Sequence, residues 1–320
     1  MARRGARRRP GLIAAAISAV ERAPTGRLIR AGVSTSRRLM SRQNQIWSRY
    51  SHDKVDIGER LAQVFRTLAT AVPLRRPLRA LSVGSSSEPQ FRLFEATFRG
   101  GLYLLDVERA ALATIRERIR RQAVTSVFPL RGDYTRILLD RGRTRRFLAE
   151  ALGGRRLDLV AFEHSLYYAA AAEWPALLGN VYEVLLRPTG AIHAVLMAAQ
   201  SREPTTTTWL YNHFAGKFFG HENDQDLHAL ARALRRDSRF GGAQVLTETD
   251  RVRFYVDDFG ALMSVVWMVL LYPNVHRYTP AQRREITRHV YRNLFAKRRP
   301  LYQDQDHLVI YRGVGQRGLL

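Results

Sequence analysis

Cysteine is absent from the 320 residues, which removes disulfides, thiolate nucleophiles, iron–sulfur clusters and cysteine-ligated zinc at once. Lysine is almost absent: only Lys54, Lys217 and Lys297 occur, so arginine supplies nearly all of the 52 basic residues. Set against 28 acidic residues, they leave a formal charge of +24. A surplus that size draws in negatively charged ligands and surfaces by long-range attraction. An arginine bias of this kind also follows from genome composition, so charge alone does not select nucleic acid as the partner. A long apolar run is missing too. The longest candidate, Phe259 to Tyr272, falls short of the ~20 residues that cross a bilayer and stops at Pro273. It reads as a buried helix, so a cytoplasmic protein with no transmembrane segment is expected. With 46% hydrophobic and 25% charged residues, wholesale disorder is excluded. Nothing in the composition selects an oligomeric state.

Charge is unevenly placed. Residues 1–50 hold twelve Arg against the single Glu21, a balance of +11. Arg3, Arg4, Arg7, Arg8 and Arg9 precede the short apolar run Gly11–Val20, which loosely resembles the start of a secretory signal. No small-residue cleavage site follows it. Residues 1–45 are therefore read as a basic flexible extension, whose removal leaves the fold intact. Residues 46–77 follow as N-terminal helices, because Ile46, Tyr50, Val55, Ile57, Leu61, Val64, Phe65 and Leu68 recur at helical steps until Pro73 and Pro77.

From Leu78 onward short apolar runs alternate with helical patterns. Leu78–Gly84, Leu102–Leu105, Val124–Leu130, Leu157–Phe162 and Ala191–Met197 read as five strands with helices between them. That alternation predicts an α/β domain over residues 78–320, with a mostly parallel sheet covered on both faces. Arg251–Val256 and His307–Tyr311 read as two late strands. Residues 199–250 carry no clear pattern and are expected to form a lid or acceptor-binding insertion after strand five.

Open α/β sheets bind ligands at the carboxyl ends of their strands, where strand order reverses. Gly84 follows strand one, and Ser85 and Ser86 lead toward a helix N-terminus with free N–H groups. Asp106 and Val107 follow strand two, with Asp106 22 positions beyond Gly84, near the offset at which an acid reaches a ribose hydroxyl. Gly132, Asp133 and Tyr134 follow strand three. Glu163 and His164 follow strand four, with Tyr167 and Tyr168 close behind.

In this succession the chain resembles the class I S-adenosylmethionine-dependent methyltransferases, well over Leu78–Met197 and loosely over Arg251–Arg312. Two of the three glycines of that family's cofactor loop are replaced here, by Ser86 and Glu88. The resemblance implies a doubly wound, seven-stranded Rossmann-like sheet with the last strand antiparallel. It also implies S-adenosylmethionine as cofactor, held by Gly84, Ser85, Ser86, Asp106, Val107, Asp133, Tyr134 and Glu163. The Asn- or Asp-Pro-Pro-aromatic tetrapeptide of nucleic-acid amino methyltransferases is missing after strand four. A small, anionic or aromatic acceptor is expected in its place.

His164 is the candidate base, since histidine is the side chain that exchanges protons near neutrality. Tyr168, Trp209, Tyr211 and His213 are expected to line the acceptor pocket, with Arg202 and Lys217 suiting an anionic group. His213, His221, Glu222, Asp224 and His228 match no common metal-ligand spacing, so no metal is expected and a solvated loop is. The incomplete glycine loop leaves open an inactive cofactor-binding subunit. The charge and basic arm leave open an RNA methyltransferase. The Ser85–Ser87 turn lacks the closing glycine of a hydrolase nucleophile elbow, and a nicotinamide fingerprint lacks its last two glycines.

Overall fold

A computed structural model describes residues 24–73, 75–84, 91–272 and 275–315. Three helices come first: α1 (Pro24–Ser34), α2 (Met40–Tyr50) and α3 (Asp53–Ala69). Then come β1 (Arg79–Val83), α4 (Phe91–Thr97), β2 (Gly101–Asp106), α5 (Arg109–Arg121), β3 (Val127–Arg131), α6 (Tyr134–Leu138), α7 (Arg141–Glu150) and β4 (Leu157–Glu163). The chain continues through α8 (Trp174–Asn180), β5 (Leu186–Met197), α9 (Thr207–Phe219), α10 (Leu227–Arg236) and β6 (Ala243–Phe254). It ends with α11 (Phe259–Leu271), α12 (Pro280–Asn293) and β7 (Leu301–Arg312).

The strands form one seven-stranded sheet in the order β3-β2-β1-β4-β5-β7-β6. β1 through β5 run parallel, and β7 runs antiparallel to both its neighbours. Strand order therefore reverses between β1 and β4, and the crevice outside their carboxyl ends is the natural ligand position. The expected doubly wound α/β architecture is what the chain adopts.

Strand side chains alternate between two faces. On one face, Ala80, Leu159, Ala161, Ala191 and Val195 pack against Ile57, Leu61, Val64 and Leu68 of α3. These four recur at four- and three-residue steps, the stripe that seats a helix on a sheet. On the other face, Val160, Phe162, Ile192, Ala194, Leu308 and Ile310 meet α8 and α10. A third cluster above the β6–β7 end joins Trp47 with Phe254 and the apolar faces of α9, α11 and α12.

Two expectations about organisation need correction. The basic extension is read as a poorly ordered or loosely helical arm, yet Pro24–Ser34, Thr35–Arg37 and the start of Met40–Tyr50 form helices that pack on the domain. Trp267 Nε1–H donates to the Gly32 carbonyl at 3.0 Å, Arg38 donates to Ser264 Oγ at 2.9 Å, and Arg283 donates to Ser36 Oγ. Gln43 and Trp47 of α2 are buried. The arginines here point outward around an apolar seam, so composition hid the packing. The expectation for residues 1–23 lies outside the described residues.

The stretch 199–250 is likewise not irregular. It contains α9, α10 and most of β6. Thr206 caps α9 by accepting from the Trp209 N–H, and Asp226 caps α10 by accepting from the Ala229 N–H. Leu227, Leu230, Ala231 and Leu234 give α10 a helical stripe that the sequence displayed openly. β6 is twice the expected length because it is an edge strand whose exposed positions carry Leu246, Glu248, Thr249, Arg251 and Arg253, which blurs the alternation.

Candidate active site

Gly84 stands at the end of β1 with φ +71, and a Cβ there would lie 2.7 Å from the Ser165 Cβ. Only glycine meets both conditions. Its N–H donates to the Leu105 carbonyl at 2.9 Å, tying β1's end to β2's. Ser85 and Ser86 lie outside the described residues. Asp106 closes β2, with Oδ1 accepting the Glu108 N–H at 2.7 Å, and Val107 beside it is well exposed. Asp133 caps α6, its Oδ1 accepting from the Thr135 N–H at 3.0 Å and the Thr135 hydroxyl at 2.6 Å.

Tyr134 was expected to face the cofactor. It is buried instead, and its hydroxyl donates to the Ser165 carbonyl at 2.6 Å. It therefore props the loop after β4 from beneath. Glu163 shares the strand parity of Leu159 and Ala161, so its buried carboxyl sits on the α3 face rather than in the open crevice. Tyr168, half exposed, places its hydroxyl 3.6 Å from Met40 Sδ of α2. Burial raises its phenol pKa, and Tyr272, Asp106 and Glu108 raise it further.

His164 departs most from its neighbours. Its φ is +51, a left-handed conformation rare outside glycine and found where surrounding structure enforces it. Its N–H donates to the Val195 carbonyl at 3.0 Å. The imidazole Nε2 lies 3.2 Å from Asp53 Oδ1, at the first turn of α3. Asp53 is fully buried, and Lys54 Nζ sits 3.0 Å from its other oxygen. Burial pushes the Asp53 carboxyl up, but Lys54 and His164 outweigh it, and the net shift is strongly downward. Asp53 is therefore an anion and can only accept, so His164 Nε2 carries the hydrogen.

The other ring nitrogen faces Tyr167. The Tyr167 hydroxyl accepts the Met197 N–H at 2.6 Å, which turns its own hydrogen toward His164 Nδ1, 3.5 Å away. The two rings lie nearly parallel. Nδ1 thus bears the lone pair, at a contact long enough to yield to a competing donor. A carboxylate that fixes the tautomer of a histidine, leaving the opposite nitrogen basic, is the arrangement used by positioned general bases.

The α9 residues do not join this group. Trp209 stacks on His213 at 4.4 Å and on His289 at 5.6 Å between ring centres. Tyr211 is buried, with its hydroxyl 2.9 Å from His276 Nε2. These rings pack among α9, α11 and α12. The loop after α9 does reach the site, since Gln225 Nε2 donates to the Tyr167 carbonyl at 3.1 Å. That loop was expected to be solvated, yet Asn223 and Gln225 are buried. Among the described residues no three His, Asp or Glu side chains are grouped to hold a metal, and no helix is long and apolar enough to cross a membrane.

Sequence reasoning missed Asp53, because an acid in a helix's first turn reads as an ordinary dipole partner. It placed Tyr167 close behind His164 and gave it no role. A histidine inside the apolar run Ala191–Met197 was a signal it passed over.

The strand order and the single antiparallel strand define the seven-stranded fold of the class I S-adenosylmethionine-dependent methyltransferases. No family model matches the chain, and no curated protein matches it. Among solved structures it is similar to the YcgJ protein from Bacillus subtilis, with 10% identity, TM-score 0.48, and coverage of 79% of this chain and 99% of that one. A candidate methyltransferase from Bacillus halodurans gives 12% identity, TM-score 0.48, and coverage of 77% and 96%. A candidate sarcosine dimethylglycine methyltransferase from Galdieria sulphuraria gives 12%, 0.47, and coverage of 81% and 86%.

Proposed function

We propose that the chain is an S-adenosylmethionine-dependent methyltransferase acting on a small acceptor, with His164 as the base that deprotonates it. The observation that carries this reading is the Asp53–His164–Tyr167 array beside the β1, β2 and β4 ends, where a left-handed histidine is held with its Nδ1 lone pair facing only the long contact to the Tyr167 hydroxyl. Gly84 supplies a backbone cradle that any Cβ would fill. Asp106 offers a carboxylate at the ribose position, with Asp133 at the adenine end and Val107 as an exposed apolar neighbour. Ser85 and Ser86 would complete this shell. The cofactor would supply a methyl group on a positively charged sulfur, ready for in-line displacement.

The chain's own residues have three tasks. Gly84, Asp106 and Asp133 bind and orient. Tyr168, in the loop after β4, screens the reacting atoms from water and stands on the acceptor side. His164 takes the acceptor's proton at Nδ1, and Asp53 holds the resulting imidazolium through Nε2–H. Trp209 and His213 stack with His289 of α12, and Tyr211 meets His276 ahead of that helix.

Calorimetric titration with S-adenosylmethionine and S-adenosylhomocysteine tests the reading. The parent should bind both. Asp106→Ala should bind at least tenfold more weakly, as expected for losing a charge-assisted hydrogen bond of about 1.5–3 kcal/mol. A parent that binds neither compound, or an Asp106→Ala variant of unchanged affinity, overturns it.

A further inference from the structure

β6 ends on the same side of the sheet as β1, β4 and β5, because it runs antiparallel to β7, which is itself antiparallel to β5. Its last residues open onto a cavity of about 320 Å³, bounded by the first turn of α11, the last turn of α12 and the 3₁₀ turn Phe295–Lys297. Phe254 and Leu262 line it from the buried side, and the half-buried rings of Tyr255, Tyr291 and Phe295 form its walls. Asp257, Arg298 and Arg299 stand exposed at its mouth. β5 and β7 lie between β6 and β4, so three strand spacings, ~14 Å, separate the β6 end from the β4 end that carries His164. The volume is at the small end of the range for ligand pockets, room for a molecule of one or two rings.

The rings are held in place by their neighbours. Phe259 meets Tyr291 edge-on at 5.6 Å and Phe295 at 5.0 Å between ring centres. The Arg253 guanidinium lies over the Tyr255 ring, 5.8 Å from its centre, and the Tyr255 hydroxyl donates to Asp257 Oδ1 at 2.9 Å. Side chains fixed in this way lose little freedom when a ligand arrives. Arg298 has φ +50, and its N–H donates to the Phe295 carbonyl at 3.0 Å. Glycine or asparagine ordinarily fills such a left-handed position after a helix. A cation near a helix C-terminus is common. One held in a strained backbone at the mouth of a ring-lined cavity is not, and strain of this kind gathers at ligand clamps. Among the described residues neither the Arg298 nor the Arg299 guanidinium makes a hydrogen bond or an ion pair. Both keep their donors for a ligand.

We propose that this cavity is a second binding site, separate from the cofactor crevice, for a flat aromatic acid whose ring lies among Tyr255, Tyr291 and Phe295 and whose single carboxylate meets Arg298 and Arg299. A guanidinium fork matches a carboxylate in geometry, and a planar ring suits walls made of rings. The charge at the mouth selects one negative charge over two. Against the two guanidinium groups stand Asp257 and the negative end of α12, equivalent to about half a charge. What remains positive suits a carboxylate and is too little for a phosphate dianion. The site does not depend on the methyltransferase reading, because none of its residues belongs to the array at the β1, β2 and β4 ends.

Calorimetric titration of the full chain with 2-naphthoate, 2-naphthyl phosphate and 2-naphthylmethanol tests the site, since the three probes share one ring system and differ in charge. 2-Naphthoate should bind at millimolar concentration or below, at least about fivefold more tightly than the alcohol, as a charge-assisted contact at a solvated mouth implies. It should also bind more tightly than the phosphate. Arg298→Gly should weaken 2-naphthoate by at least about fivefold while the melting temperature holds or rises, because glycine takes the left-handed backbone without strain. Ala296→Phe places a ring in the cavity beside Phe295 and should abolish binding of 2-naphthoate at millimolar concentration. No binding of 2-naphthoate by the parent, equal binding of the alcohol or tighter binding of the phosphate would each overturn the proposal. So would unchanged affinity in either variant, or a lowered melting temperature in Arg298→Gly, which would make its guanidinium a structural member. Failure of the methyltransferase reading shows separately, as a parent that does not bind S-adenosylhomocysteine, and leaves the naphthoate titration to judge this site.

Discussion

At the scale of single residues, the site depends on three positions whose substitution should give distinguishable outcomes. His164→Ala removes the base and should lower turnover about a hundredfold, with cofactor affinity within about threefold by calorimetry, because the ring lies outside the shell of Gly84 and Asp106. Equal loss of cofactor affinity would place His164 in the cofactor site. Asp53→Asn should lower turnover similarly through the tautomer rather than through contact with acceptor. It should also cost stability, since the buried Lys54 ammonium would lose the anionic carboxylate beside it. A loss of turnover with unchanged denaturant midpoint would show that the pair is exposed to water in solution. Gly84→Ala meets both a left-handed backbone and a 2.7 Å contact with Ser165 Cβ, so it should displace the loop after β4. Circular dichroism and cofactor titration should show a folded protein with weakened binding. Of these three residues, Gly84 and His164 were legible because each follows a strand. Asp53 was not, since 111 positions separate it from the histidine it orients.

Among the elements, the N-terminal helices carry the clearest consequence. α1 packs so closely on α11 and α12 that a Cβ on Gly32 would lie 2.8 Å from Phe259 Cε1 and Thr287 Cγ2, and 3.0 Å from Met263 Cγ. Gly32→Val should therefore destabilise by about 1–3 kcal/mol in urea unfolding, by overpacking. Trp47, 3% exposed and stacked on Phe254 at 5.6 Å, fastens α2 to the end of β6. Trp47→Ala should cost about 3–5 kcal/mol. A truncation ending after Ser36 removes the partners of Trp267 and Arg283 and should lower the melting temperature clearly, the reverse of what a loose basic arm implies. Unchanged melting in these variants would mean that α1 and α2 detach in solution. The elements over the sheet were legible because their apolar stripes are periodic. α1 and the turn after it were not, since their burial falls on small residues, Gly32, Thr35 and Ser36, between arginines.

Across the whole molecule, buried ionisable groups set the response to acid. Burial lowers His307 from 6.5 to about 4 and lowers His193 as well. Between those pH values the unfolded chain binds more protons than the folded one, so this contribution is complete above about pH 6.5 and is lost as pH falls toward 4. The Asp53 carboxyl is depressed despite its burial, by Lys54 and His164, so its contribution is present above about pH 4 and is lost only in stronger acid. Melting temperature should accordingly fall in two stages. His307→Gln should flatten the first stage while leaving the second, as differential scanning calorimetry across pH 7 to 2 would show. A first stage of unchanged slope in that variant would assign it to other groups.

The alternation of apolar runs and helical stripes by itself determined that this chain builds a mostly parallel sheet covered on both faces. It also determined that Gly84, Asp106, Asp133 and His164 stand at strand ends. Those properties are local, since each depends on neighbours within about four positions and survives being read one segment at a time. Tertiary structure alone decided that α3 brings Asp53 under His164 and that β7 inserts between β5 and β6. It alone set His193, His307 and Gln305 in one buried band, and brought Trp209 and His213 to His289 of α12 and Tyr211 to His276. Those outcomes depend on which faces meet across the sheet, and the chemistry of a histidine follows from partners more than a hundred residues distant.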